Sequence, residues 1–204
     1  MLDLIIRGGE VVTPQATGAF DVAVKGETIA AVTAPGALPD DQAGRVIDAT
    51  NKIVMPGGVD PHVHMHHPWI KPDGTTLTTA GPDQVGQAAL FGGTTTLIDF
   101  AYWREGQTAL EGIESRDKDF VGRSFCDWAY HIMLHSEPPH TFSGQLAEAI
   151  QAGYPTLKIF TTNILPGRTG RMIDFGDIWE AFKVLAKEGG LGVIHAEDHD
   201  IVMH

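Results

Sequence analysis

The stretch Gly57-Gly58-Val59-Asp60-Pro61-His62-Val63-His64 decides how the rest of the chain is read. Val59 to His64 predicts a short apolar strand. Alternate side chains of a strand share a face, so His62 and His64 project to one side. Two neutral imidazoles aimed at one point are ligands for zinc and similar divalent ions, at metal to nitrogen distances of about 2.0–2.1 Å. A His-x-His triplet is also what two ordinary histidines look like in a chain that has ten of them. Position separates the two readings. The pair ends a strand that follows Pro56-Gly57-Gly58 and precedes a proline-broken loop, Met65 to Pro72, and strand ends are where barrel enzymes carry their chemistry.

Upstream of this stretch, residues 1–55 read as all-β. Leu2 to Arg7, Glu10 to Thr13, Phe20 to Lys25, Thr28 to Thr33 and Arg45 to Val54 are short β-favouring runs separated by Gly, Pro and Asp turn signals. They hold too little apolar surface for a comfortable core of their own, so this segment is expected to be part of a small sheet or sandwich.

Downstream, residues 56–204 alternate strand and helix. Helices are predicted over Pro82 to Phe91, around Leu110, Ile113, Phe120 and Val121, over Phe142 to Ala152, and over Phe175 to Glu188. The last has Asp174 as its N-cap and Gly189-Gly190 as its stop. Between them lie the strands Thr94 to Phe100, Phe125 to Leu134, Thr156 to Thr161 and a fully buried Leu191 to His195. Such alternation implies a parallel sheet with crossover helices. Five βα beginnings can be counted, and eight close a barrel. The expectation is therefore an α/β chain holding the first five βα units of a (β/α)8 TIM barrel, the front part of a longer protein.

Composition narrows the function. Over 204 residues the formal charge is -12, which repels nucleic acid and anionic membrane surfaces. Cys126 is the only cysteine, so no intrachain disulfide forms. No stretch has the pattern of a signal peptide or the length of a membrane span. No nucleic acid, no membrane and a cytoplasmic location are expected.

Two further strand ends carry unusual residues. Lys158 sits in Thr156-Leu157-Lys158-Ile159-Phe160, flanked by apolar residues, and His195 ends the fifth strand. Desolvation drives a lysine pKa down from about 10.4, and a neutral amine reacts with carbon dioxide to give a carbamate. Such an anion bridges two metal ions about 3.5–4 Å apart. The plainer alternative is a lysine that snorkels to the rim or pairs with Glu197 or Asp198. For His195 the plainer alternative is a core histidine bonded to a backbone carbonyl. His66 and His67 read as surface or supporting residues of their loop, and His131, His135, His140, His199 and His204 as structural.

Together, Pro56-Gly57-Gly58-Val59-Asp60-Pro61-His62-Val63-His64, Leu157-Lys158-Ile159-Phe160 and Val193-Ile194-His195-Ala196-Glu197 resemble the cyclic amidohydrolases, most nearly the dihydropyrimidinase and hydantoinase family. The opening Leu4-Ile5-Ile6-Arg7-Gly8-Gly9 is similar too. The resemblance implies an amidohydrolase-type barrel joined to a small β-sandwich, and two divalent metal ions, usually zinc. His62 and His64 would bind the more buried ion, carboxylated Lys158 would bridge both, and His195 would bind the exposed one. A further histidine ligand and the catalytic aspartate would lie beyond residue 204.

It also implies hydrolysis of a carbon–nitrogen bond in a small cyclic amide or imide by attack of a metal-bound hydroxide, in a homotetramer. Where the family usually has an oxyanion-stabilising tyrosine this chain has Asn163, a substrate-binding candidate through its amide. Where dihydroorotases have an arginine after the His-x-His, this chain reads Met65-His66-His67-Pro68-Trp69. That favours an uncharged ring substituent with Trp69 as a pocket wall. The alternatives are a non-catalytic scaffold like the collapsin response mediator proteins, and another cyclic amidohydrolase such as an allantoinase.

Overall fold

The computed structural model describes the whole chain except Pro72, His135, Ser136, residues 164–171 and the side chain of Trp69. It divides into two compact units, Met1–Gly57 and Gly58–His204.

The first unit is all strand apart from one short 3-10 turn. Its strands are β1 (Leu2–Arg7), β2 (Glu10–Val12), β3 (Thr17–Ala19), β4 (Asp21–Lys25), β5 (Thr28–Thr33), β6 (Ala43–Asp48) and β7 (Ile53–Val54). They form a four-stranded sheet in the order β5-β4-β1-β6 and a three-stranded sheet in the order β3-β2-β7. The run expected from Arg45 to Val54 is two strands in different sheets. Asn51 lies between them at φ 60°, a left-handed conformation that asparagine tolerates, and it turns the chain. Ile5 and Ala23 are fully buried where β1 meets β4. Asp21, also fully buried, lies 3.3 Å from the Arg7 guanidinium and accepts a hydrogen bond from the Gly36 N–H.

The second unit follows the strand–helix alternation. In chain order its elements are β8 (Gly58–Asp60), the hairpin β9 (Pro68–Ile70) and β10 (Thr76–Thr78), α1 (Pro82–Phe91), β11 (Thr94–Trp103), α2 (Ala109–Asp117), β12 (Asp127–Leu134), α3 (Phe142–Gln151), β13 (Thr156–Phe160), α4 (Phe175–Glu188), β14 (Leu191–His195) and α5 (His199–Met203). β8, β11, β12, β13 and β14 pair in that order, all parallel.

Local chemistry fixes the helix limits. Pro82 opens α1 without the loss of a hydrogen bond, since the first helical N–H has no intrahelical partner. Thr108 and Glu111 close a reciprocal capping box on α2. Gly189 ends α4 at φ 80°.

Three expectations change. Ladder pairing in β8 stops at Asp60, because Pro61 has no N–H to donate, so His62 and His64 lie in the extended segment beyond the strand rather than on it. The helix at Leu110 stops at Asp117, and Phe120 is buried in the following turn while Val121 points outward. β14 is half-exposed rather than fully buried, because β13 pairs with it on one side only. No helix among the described residues is long and apolar enough to cross a membrane.

Candidate functional site

Period-two alternation sorts the side chains of the parallel sheet onto two faces. Leu97, Ala101, Ile132, Leu134, Leu157 and Ile159 pack with α2, α3 and α4 in the main core. Phe100, Met133 and Phe160 form a second buried cluster on the opposite face, with Tyr102 against it. Strand register extends that face across the sheet, pairing Phe100 with His131, Met133 with Lys158, and Phe160 with His195. Lys158 and His195 therefore share it.

His62 and His64 reach the same face from the segment after β8. Their rings are 5.4 Å apart. His64 stacks on Phe100 at 4.5 Å between centroids, and His62 meets the same ring at 4.8 Å. The Lys158 amine lies 5.9 Å from the centre of the Phe100 ring and 5.2 Å from that of Phe160. Phe160 also lies beside the His195 ring, at 5.3 Å between centroids. The four candidate residues are thus gathered over two aromatic rings.

The surroundings of His62, His64 and Lys158 favour the neutral form of each. Burial, reinforced by the charges of His67, His62 and Lys158, pushes the His64 pKa down to about 4. Burial first, then Lys158 and His131, lowers that of His62, which also feels His195. A neutral imidazole keeps a ring lone pair free to bind a cation.

Lys158 is 5% exposed, and burial alone lowers its pKa. Neither carboxylate that offered it a bland role is used that way. Glu197 lies 3.1 Å from His195 Nε2, and Asp198 Oδ1 accepts the Ile201 N–H to cap α5. Despite that proximity, His195 Nε2 is buried and has no hydrogen-bond partner among the described residues, because Glu197 lies outside the direction a ring N–H requires.

No three His, Cys, Asp or Glu side chains among the described residues converge closely enough to hold a metal ion. Two histidines with lowered pKa values, a buried amine with no carboxylate partner among the described residues and an unsatisfied buried ring nitrogen are donors whose chemistry suits divalent ions.

The structure also supplies a residue that the sequence assigned no role here. His131 Nε2 lies 2.8 Å from the Pro61 carbonyl, and Nδ1 lies 2.8 Å from Thr156 Oγ1. Since a carbonyl only accepts, Nε2 carries the hydrogen. His131 thereby holds the residue immediately before His62. The signal was its register opposite Phe100 on β12, which becomes visible only once the strands are paired.

His66 lies 3.2 Å from Asp119, and His67 bonds the Tyr102 hydroxyl. His199 lies 3.4 Å from Thr162 Oγ1, while His140 and His204 are exposed. His135 and the Trp69 side chain fall outside the described residues. Asn163 follows β13 by three positions, and its side-chain oxygen accepts the Met172 N–H at 3.0 Å.

Comparison with known proteins places this geometry. The chain is 33% identical over 196 residues to the D-hydantoinase of Streptomyces coelicolor, covering 95% of this chain and 40% of that protein. It is 28% identical over 201 residues to the dihydropyrimidinase of Rattus norvegicus, covering 98% of this chain and 37% of that protein. The chain is a relative of the D-hydantoinases and dihydropyrimidinases. A crystal structure of a D-hydantoinase superposes on this hydantoinase-like chain with a TM-score of 0.83 at 30% identity, over 98% of this chain and 41% of that one. The chain thus spans about two fifths of the length of its hydantoinase relatives. No family model matches it.

Proposed function

We propose that this chain forms part of a metal-dependent hydrolase that opens a small cyclic amide or imide, of the hydantoin or dihydropyrimidine type. One observation carries the reading: a buried lysine with no carboxylate partner among the described residues shares an aromatic floor with three histidines, two of which are held neutral. The names of its relatives point to the same rings. The five parallel strands are the first βα units of a (β/α)8 barrel, and the N-terminal strands are part of a small β-sandwich. The assembled protein is a cytoplasmic homotetramer.

His62, His64, His195 and a carboxylated Lys158 would hold the divalent ions. Imidazole and carboxylate oxygen suit zinc. Carboxylation starts from the neutral amine. The Nζ lone pair attacks carbon dioxide, an N–C bond forms, and one proton leaves nitrogen for solvent, leaving an anionic carbamate. Burial of Lys158 favours this step by raising the neutral fraction.

When bound, the ions supply Lewis acidity, lowering the pKa of water and polarising the ring carbonyl. Phe100 and Phe160 exclude water beneath the ligands, and His131 fixes the backbone before His62. Asn163, whose side-chain oxygen accepts the Met172 N–H, would donate to a developing oxyanion through its amide nitrogen.

The experiment is metal analysis together with ring opening of dihydrouracil and hydantoin by the whole protein. Two ions per protomer, a carbamate signal after labelling with carbon-13 dioxide, and loss of both in Lys158→Ala are expected. Soluble, folded protein that holds no metal and keeps Lys158 unmodified would overturn the proposal.

A further inference from the structure

The segment that follows the histidine pair is held by backbone hydrogen bonds at each of His64, Met65, His66 and His67. The His64 carbonyl accepts the Thr79 hydroxyl at 2.8 Å, and the His66 N–H donates to the Ala80 carbonyl at 2.8 Å. The His67 N–H donates to Thr79 Oγ1 at 2.7 Å, and its carbonyl accepts the Thr79 N–H at 3.0 Å. His66 adopts φ 49°, a left-handed conformation that a side chain persists in only where its surroundings enforce it.

At Met65 the restraint is ionic. Its side chain is buried in the core, its N–H donates to Asp99 Oδ2 at 2.9 Å, and its carbonyl accepts from Arg116 Nη2. That same Nη2 lies 2.8 Å from the same Asp99 oxygen. Asp99 and Arg116 are both buried, so this pair grips one residue's donor and acceptor together in a low-dielectric setting. Arg116 Nη1 bonds Asp119 Oδ2 at 2.7 Å, and Asp119 Oδ1 lies 3.2 Å from the His66 ring. Phe100, next to Asp99 on β11, carries the stacked His64 ring on the opposite face of the strand.

A buried ion pair is seldom the most stabilising way to fill a core, since desolvation offsets most of its attraction. A gain in geometry is a better account of this one. We infer that Asp99 and Arg116 are positioning residues that clamp the Met65 backbone and thereby set the His64 ring on Phe100, preorganising the His62 and His64 pair for its metal ion. This rests on the function proposed above, but its first test does not.

That first test is the His64 ring proton in the metal-free whole protein. Stacking on Phe100 shifts its NMR resonance, and in Asp99→Asn, which keeps the side-chain shape and removes the charge, it is expected to move to the position of an unstacked histidine. The second is zinc affinity by competition titration, expected to weaken about 10- to 100-fold, the usual effect of losing a group that orients a metal ligand. Leu146→Ala, a core variant in α3 that removes none of these hydrogen bonds, controls for stability and is expected to retain parental zinc affinity.

If Asp99→Asn does not fold, Arg116→Lys keeps the charge but cannot span the same acceptors, and it is expected to show the same two changes. An unmoved His64 resonance with parental zinc affinity would overturn the inference, as would equal weakening in Leu146→Ala. A parent that binds no zinc would sink the proposed function, while the resonance still decides the clamp.

Discussion

His64 lies flat on Phe100, with ring centroids 4.5 Å apart and planes inclined by 19°. The same phenyl ring meets His62 at 60° and His131 at 41°. One side chain at the middle of β11 is thus the floor on which three imidazoles rest. Because Phe100 is 1% exposed, that floor is part of the packed interior rather than a lining added to it.

Phe100→Ala is therefore expected to cost about 3 kcal/mol of stability, the low end for a buried phenylalanine, since the open side of the site can relax toward the gap. Urea unfolding measures it. A loss below about 1 kcal/mol would match an ordinary surface-like position and deny the floor.

Lys158 sets a pH dependence. Burial holds its pKa below the ordinary 10.5, so between the folded value and 10.5 the unfolded chain binds more protons than the folded one. Stability then rises with pH across that window. The cost of the buried ammonium is fully present below the folded pKa and absent above 10.5. In metal-free protein, Lys158→Met is expected to be more stable than its parent at pH 7, with the difference shrinking as the pH approaches 10.5. Denaturation curves that differ equally at every pH would mean that the amine is solvated.

Gly112→Ala opposes two effects on α2. Alanine favours a helix interior by about 1 kcal/mol over glycine. A Cβ at Gly112 would stand 2.5 Å from the Tyr102 carbonyl oxygen, which is backbone of the neighbouring strand and cannot rotate away. Overpacking costs about 1–3 kcal/mol, so the clash is expected to win and the melting temperature to fall. A rise would show that α2 can shift off β11.

Much of the architecture was legible because it follows from local chemistry. The switch near residue 57 from short β-runs to strand–helix alternation was written in spacing and in Gly and Pro punctuation, and the helices at Pro82, Phe142 and Phe175 started where expected. Strand ends were less legible. The end of the ladder at Asp60 was written in Pro61, which has no N–H to donate, but the apolar run around it masked that signal. Leu191 to His195 read as buried because its residues are apolar, but burial also needs a neighbour on each side.

The candidate site divides the same way. His62, His64, Lys158 and His195 could be named as candidates from residue type and spacing, and alternation along a strand holds for Lys158 and His195, whereas His62 and His64 lie beyond the strand that suggested them. Their meeting over Phe100 and Phe160 is a matter of register between strands, a long-range property that no local pattern encodes. The uses of His131 on Pro61, and of Asp99 and Arg116 on Met65, belong wholly to the tertiary structure. The sequence determined the donor groups; only folding decided what holds them, because a hydrogen bond between residues dozens of positions apart exists only when the packed sheet brings them together.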